Sequence, residues 1–97
     1  DFALAFADIH PQAPTHILVI PTGAYTDIAD FNLNARDEEI TGFWRAVAWV
    51  AKDSGLPENG FRLIANTGLN GGQEVPHFHV HLLGGRALGP MLQKVSA

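Results

Sequence analysis

The sequence predicts an α+β domain, with one long amphipathic helix set among antiparallel strands. Three observations carry this expectation. After Asn34, the residues Ile40, Phe43, Trp44, Val47, Val50 and Ala51 recur at three- and four-residue steps, the spacing of one helix face. Four short apolar runs, FALAFADI, THILVIP, GFRLIAN and VPHFHVHLLG, are bounded by Pro, Gly and polar residues, as strands are. A single long helix is also too little to cover both faces of a doubly wound parallel sheet.

Each element has its own signals. FALAFADI reads as the first strand, and HPQAPTH, with two prolines, as a turn. THILVIP is rich in β-branched residues and ends at Pro21. Its alternation puts His16, Leu18 and Ile20 on one face and Ile17 and Val19 on the other. TGAYTDIADFN reads as irregular, with room for one short helical turn. The long helix is expected to begin at an Asn34 N-cap, with Asp37, Glu38 and Glu39 forming an acidic first turn. Lys52 suits its last turn, Gly55 its C-cap, and Pro57 blocks continuation. Trp44 and Trp49 read as core or interface packing. GFRLIAN is the third strand, TGLNGGQ a polar glycine-rich loop, and VPHFHVHLLG the fourth strand. The tail GRALGPMLQKVSA has no clear period.

Composition narrows the function classes. The chain has 97 residues, 46% hydrophobic and 16% charged, which fits a single domain spanning 1–97 with one modest core. It has no cysteine, so thiol catalysis, zinc knuckles and disulfides are out, and a reducing, cytoplasmic setting is expected. With no disulfide to add stability, a partner subunit could contribute it. The formal charge is −4 and no basic run appears, which argues against nucleic acid as a partner. The apolar run ILVI is far too short to span a bilayer, so no membrane role is expected. The chain starts at Asp1 without an initiator Met, so residues upstream are expected.

Three of the five histidines fall in PHFHVHLLGG, as His77, His79 and His81. On a strand they project to one side, with neighbouring α-carbons roughly 6.5–7 Å apart, while Phe78, Val80 and Leu82 face the core. Three readings compete: a strand-surface accident, a metal site and a catalytic site. A metal would need a third ligand from elsewhere, such as His16 or His10, because the outer two histidines lie about 13 Å apart at their α-carbons. The catalytic reading draws on the preceding loop. Asn66, Gly68, Asn70, Gly71, Gly72 and Gln73 are small or amide-bearing, suited to bring donors close to an anion. Neutral imidazole is a competent nucleophile and imidazolium a competent acid near neutral pH. Phosphoryl or nucleotidyl transfer through a histidine follows, and no phosphate-binding P-loop is present.

His-x-His-x-His followed by two apolar residues resembles the motif of the histidine triad (HIT) superfamily. DIHPQAPTHILVIP, NTGLNGGQEVPHFHVHLLGGR and the helix between them resemble its Hint branch over nearly the whole chain. The resemblance implies a HIT-like α+β fold: an antiparallel sheet of about five strands, one long helix, and a sheet continued across a homodimer. It implies a purine nucleoside monophosphate, its phosphoramidate or an acyl adenylate as ligand, no cofactor and no metal. The implied activity is that of an adenosine or guanosine 5′-phosphoramidase, cleaving P–N or acyl-phosphate bonds through a nucleotidyl-histidine. A dinucleotide polyphosphate hydrolase of the same superfamily, or a nucleotide-binding interaction module with incidental catalysis, is the alternative.

Carried over by position, His79 is the nucleophile, His81 holds the phosphate, His77 orients His79, and His16 completes a relay behind it. Asp8 would hold the ribose hydroxyls. Asn66, Gly72, Gln73, Glu74 and Val75 would line the phosphate and leaving-group side, and Phe6 and Ile9 would border the purine. His10 has no counterpart and reads as surface. The chain departs from the family at Glu74, where relatives often carry a small hydroxyl residue, and a carboxylate there could favour an amine leaving group. The family's N-terminal segment, which helps cover the purine, is expected to be missing, and the tail lacks the tryptophan-proline ending of some relatives.

Overall fold

The computed structural model describes residues 2–92. Four strands, β1 (Ala3–Ala7), β2 (Thr15–Pro21), β3 (Phe61–Ile64) and β4 (Val80–Gly84), form one sheet in the order β1-β2-β4-β3. Every neighbouring pair is antiparallel. Four helices accompany it: α1 (Ile28–Asn34), α2 (Asp37–Asp53), α3 (Leu56–Asn59) and α4 (Gly68–Gly71). The α+β class and the single long helix are as expected. Among the described residues the sheet has four strands rather than about five, and the loop TGLNGGQ contains the one-turn α4.

Helix α2 does not start at Asn34. Asp27 caps α1, its Oδ1 accepting the Asp30 N–H at 2.8 Å, so α1 runs through the segment read as irregular. Asn34 is the last residue of α1, and its side chain turns back to donate to Asp30 Oδ1 at 2.9 Å. The N-cap of α2 is Arg36, whose backbone N–H donates to the Glu39 side chain. At the other end Gly55 takes φ +72°, the left-handed conformation that favours glycine after a helix. Pro57 then sits in the first turn of α3 rather than merely ending α2.

The core lies between the sheet and the helices. Phe43, Val47 and Ala51 of α2 and Phe31 of α1 pack with Val19, Phe78, Val80 and Leu82, all buried. Trp44 joins them against Phe43 and Phe78, with its indole N–H on Asn32 Oδ1 at 3.2 Å. Trp49 does not. It is 60% exposed, with the Lys52 ammonium 5.2 Å from its ring.

Register explains where the fourth strand begins. The Asp8 and Thr22 amides bond to His16 and Phe2, so the even residues of β2 turn their backbone groups toward β1. Odd residues turn toward β4, pairing Ile17 with Leu82 and Val19 with Val80. The next slot belongs to Pro21, which has no N–H to give. The ladder stops there, and the Phe78 amide goes to the Tyr25 carbonyl at 2.7 Å instead. The expected strand from Val75 is therefore shortened to Val80–Gly84, and His77 and His79 lie ahead of it. Their alternation survives: His77, His79 and His81 are half-buried, while Phe78, Val80 and Leu82 are buried. Opposite the core, the sheet row Phe6, Leu18, His81 and Ile64 runs across all four strands.

Candidate active site

The triad residues have three different settings. His79 Nδ1 lies 2.8 Å from the His77 carbonyl oxygen. A carbonyl only accepts, so Nδ1 carries the proton and the neutral ring keeps its lone pair on Nε2. His77 thus orients His79 through its backbone, while its own Nε2 reaches the Pro21 carbonyl at 3.3 Å. That carbonyl belongs to the slot the β4 ladder left open. His81, on β4, turns Nδ1 toward His16 Nε2 at 2.9 Å. His16 was expected behind His79; register places it on β2 two residues from Leu18, the partner of His81, so it stands behind His81 instead.

Two clefts flank these rings. The larger, of about 450 Å³, is lined by Phe6, Ala7, Asp8, Ile9, Leu18, Ile20, Val75, His77 and His79. Apart from Asp8 and the two histidines its walls are apolar. The smaller, of about 140 Å³, is lined by Gln12, His16, Ile64, Asn66, His81 and Leu83. The His79 and His81 rings, 5.0 Å apart between centroids, mark the boundary between the two. Burial pushes the His81 pKa below the ordinary histidine value, and His79 and His16 add to the effect while Asp8 opposes it.

The structure brings most of the expected residues together. Phe6, Asp8, Ile9 and Val75 share the larger cleft with His79, and Asn66 shares the smaller one with His81. Gln73 spends its side chain on the loop. Its Oε1 accepts the Gly68 N–H at 3.0 Å, and its Nε2 donates to the Thr26 and Val75 carbonyls at 2.7 and 3.0 Å. The side-chain amide therefore shapes the loop and has no donor left to turn on a phosphate. Gly72, with φ +74°, closes α4, its N–H on the Leu69 carbonyl. Glu74 is exposed, and His10 is exposed with its N–H on Asp8 Oδ1 at 2.8 Å. Sequence reading missed Gln12, whose N–H donates to His16 Nδ1 at 3.1 Å. No side-chain pattern could have shown this, because the donor is the backbone.

Asp8, His16 and His81 place one potential metal ligand each within 4.8 Å of the others. Their spacing suits a proton better. Two nitrogens on one tetrahedral zinc stand about 3.3 Å apart, given Zn–N bonds of about 2.0–2.1 Å. The His16 and His81 nitrogens are 2.9 Å apart, a hydrogen-bond separation.

Residues 1–88 match the family model described as the HIT domain. The chain belongs to that family. Purine nucleoside phosphoramidase of Escherichia coli (strain K12) is 52% identical over 93 residues, covering 95% of this chain and 76% of its own. A 14 kDa zinc-binding protein of Zea mays is 51% identical over 88 residues, covering 88% and 66% respectively. Among solved structures, a HIT family hydrolase from Legionella pneumophila Philadelphia 1 superposes with a TM-score of 0.80 at 45% identity, over 90% of this chain and 77% of that one. The antiparallel sheet with its flanking helices is thus the HIT fold. Family and relatives place the chain among HIT hydrolases.

Proposed function

We propose that this HIT protein is a metal-independent purine nucleoside 5′-phosphoramidase in which His79 Nε2 is the nucleophile. The observation that carries this reading is the 2.8 Å contact of His79 Nδ1 with the His77 carbonyl, beside an apolar cleft large enough for a nucleoside. That contact leaves the Nε2 lone pair free to attack. The P–N bond of the substrate breaks as the N–P bond to His79 forms, and the amine departs with a proton taken from water, which hydrolysis of the adduct later returns. Water then cleaves the nucleotidyl-histidine to release the nucleoside monophosphate.

The larger cleft suits the base and ribose, with Phe6 and Ile9 bordering the purine and Asp8 at the ribose end. His81 and Asn66, lining the smaller cleft, suit the phosphoryl oxygens. Donors held where charge develops are worth more than the same donors in water. Glu74, exposed and next in sequence to Val75 of the larger cleft, would favour an amine leaving group. The absence of cysteine supports a reducing, cytoplasmic setting. A homodimer formed through edge strand β3 and the outer face of α2 would cover Phe61 and Leu63, each 41% exposed, and Trp49.

Adenosine 5′-phosphoramidate tests the activity. Expected are AMP release unaffected by chelator, an adenylylated protein on rapid quench, and loss of both in His79→Ala. Preference for diadenosine polyphosphate, or turnover without an adenylyl adduct, would replace this reading with another.

A further inference from the structure

The third triad imidazole is ordered by a hydrogen-bond chain that begins outside the triad. The backbone N–H of Gln12 can only donate, and it reaches His16 Nδ1 at 3.1 Å. That nitrogen must hold its lone pair, so neutral His16 carries its proton on Nε2. The same Nε2 lies 2.9 Å from His81 Nδ1 and 3.4 Å from Asp8 Oδ2. His81 Nδ1 therefore accepts, and the proton of neutral His81 sits on Nε2. The His16 side chain is only 1% exposed, so water does not compete for these positions.

We propose that the backbone N–H of Gln12, acting through His16, is a positioning group that fixes His81 as a neutral imidazole whose Nε2–H donates to the bound phosphoryl group, with Asp8 Oδ2 steadying the His16 ring. This rests on the phosphoramidase reading and deepens it. It also changes the part given to His16. A relay would require His16 to pass its Nε2 proton to His81 while the Gln12 N–H occupies Nδ1, which leaves an imidazolate. An imidazolium at His81 would instead set its Nδ1–H against the His16 Nε2–H. His16 is therefore a fixed donor, and the proton that a leaving amine needs does not come from His81.

The surroundings of His81 agree. It is faced by His16 from β2, His79 from its own segment, Asp8 beyond β1, and uncharged Ile64 and Asn66 at the β3 end. Only Asp8 favours a charge there. Burial, His79 and His16 act against it.

Nitrogen-15 NMR of the imidazole rings, recorded on the unliganded wild-type protein, tests the chain. His16 and His81 are expected to show protonated Nε2 and bare Nδ1 at pH 7, and His79 the reverse. His81 is expected to keep that pattern below pH 6.5, the ordinary histidine value. A proton on His81 Nδ1, or an imidazolium there at pH 7, overturns the proposal. This readout needs no substrate, so it stands or falls apart from the phosphoramidase activity. Gln12→Pro deletes the donor itself. Mixed His16 and His81 tautomers are expected, with kcat down by up to about 10²-fold, the loss typical of one transition-state donor, and KM changed far less. An unaltered His81 spectrum in folded Gln12→Pro also overturns it. If that variant does not fold, the wild-type spectrum decides alone.

Discussion

Phe78 separates two site histidines in sequence, yet its ring lies in the core, and Phe78→Ala tests whether that core positions the nucleophile. The ring is 2% exposed and packs at centroid distances of 5.3 Å from Phe31, 5.4 Å from Phe43 and 6.2 Å from Trp44. Truncating a buried Phe costs about 3–5 kcal/mol, much of it from the cavity left behind. A domain of this size has about 5–15 kcal/mol in total, so the variant is expected to fold but marginally. At about 4–8 °C per kcal/mol, its melting temperature should fall by about 12–40 °C. Function should suffer separately. The His77 carbonyl that orients His79 lies one peptide before Phe78, and a shift of about 1 Å can cost about 10²-fold. Thermal unfolding by circular dichroism gives the first number. AMP release from adenosine 5′-phosphoramidate at 10 °C, corrected for folded fraction, gives the second. Phe78→Leu, which refills part of the cavity, should recover part of both. A fall in melting temperature under about 5 °C would refute the packing argument, and unchanged turnover per folded molecule would refute the positioning argument.

Three further outcomes are expected. Because the His81 pKa is depressed in the folded state, the unfolded chain binds the extra proton first; below pH 6.5 stability should fall from this group until the folded-state pKa is passed. His81→Gln should flatten that part of a denaturant-midpoint-versus-pH curve, and an unchanged slope would show that the ring does not titrate this way. Gln73→Ala removes three loop contacts and should cost about 1–3 kcal/mol. Amide exchange should speed up over residues 66–76 and not in β2; equal exchange in both proteins would remove Gln73 as the loop's clamp. Gly85 has φ +92°, and an added Cβ would stand 2.9 Å from Pro14 Cβ, so Gly85→Ala should cost about 1–3 kcal/mol. Gly89, at φ +83° with nothing within 4 Å of such a Cβ, should lose less on the same change, and equal melting temperatures would contradict the steric argument.

The sequence by itself determined the class of fold and named candidate residues for the site. The three-and-four spacing through Phe43, Val47 and Ala51 and the alternation in THILVIP are local consequences of helix and strand geometry, so they could be read without coordinates. The same alternation put His77, His79 and His81 on one side, and the HIT resemblance drew Phe6, Asp8, Ile9 and Asn66 toward them. Asn34 shows where local signals mislead: a good N-cap residue was taken up by a short helix ahead of it, because Asp27 capped that helix first.

Tertiary structure decided which histidine meets which. His16 and His81 are distant in sequence and meet only because β2 pairs with β4 in one particular register. Pro21 ends that pairing for want of an N–H, so His77 and His79 leave the strand, and the His77 carbonyl is free to hold His79. Gln73, an apparent phosphate donor in the sequence, is occupied by the loop it builds. Gln12 carried no side-chain signal at all, yet its backbone N–H determines where the protons of His16 and His81 sit. Side-chain identity is written in the sequence, but the direction of a hydrogen bond, and so the tautomer of an imidazole, depends on backbone groups that only the fold brings together.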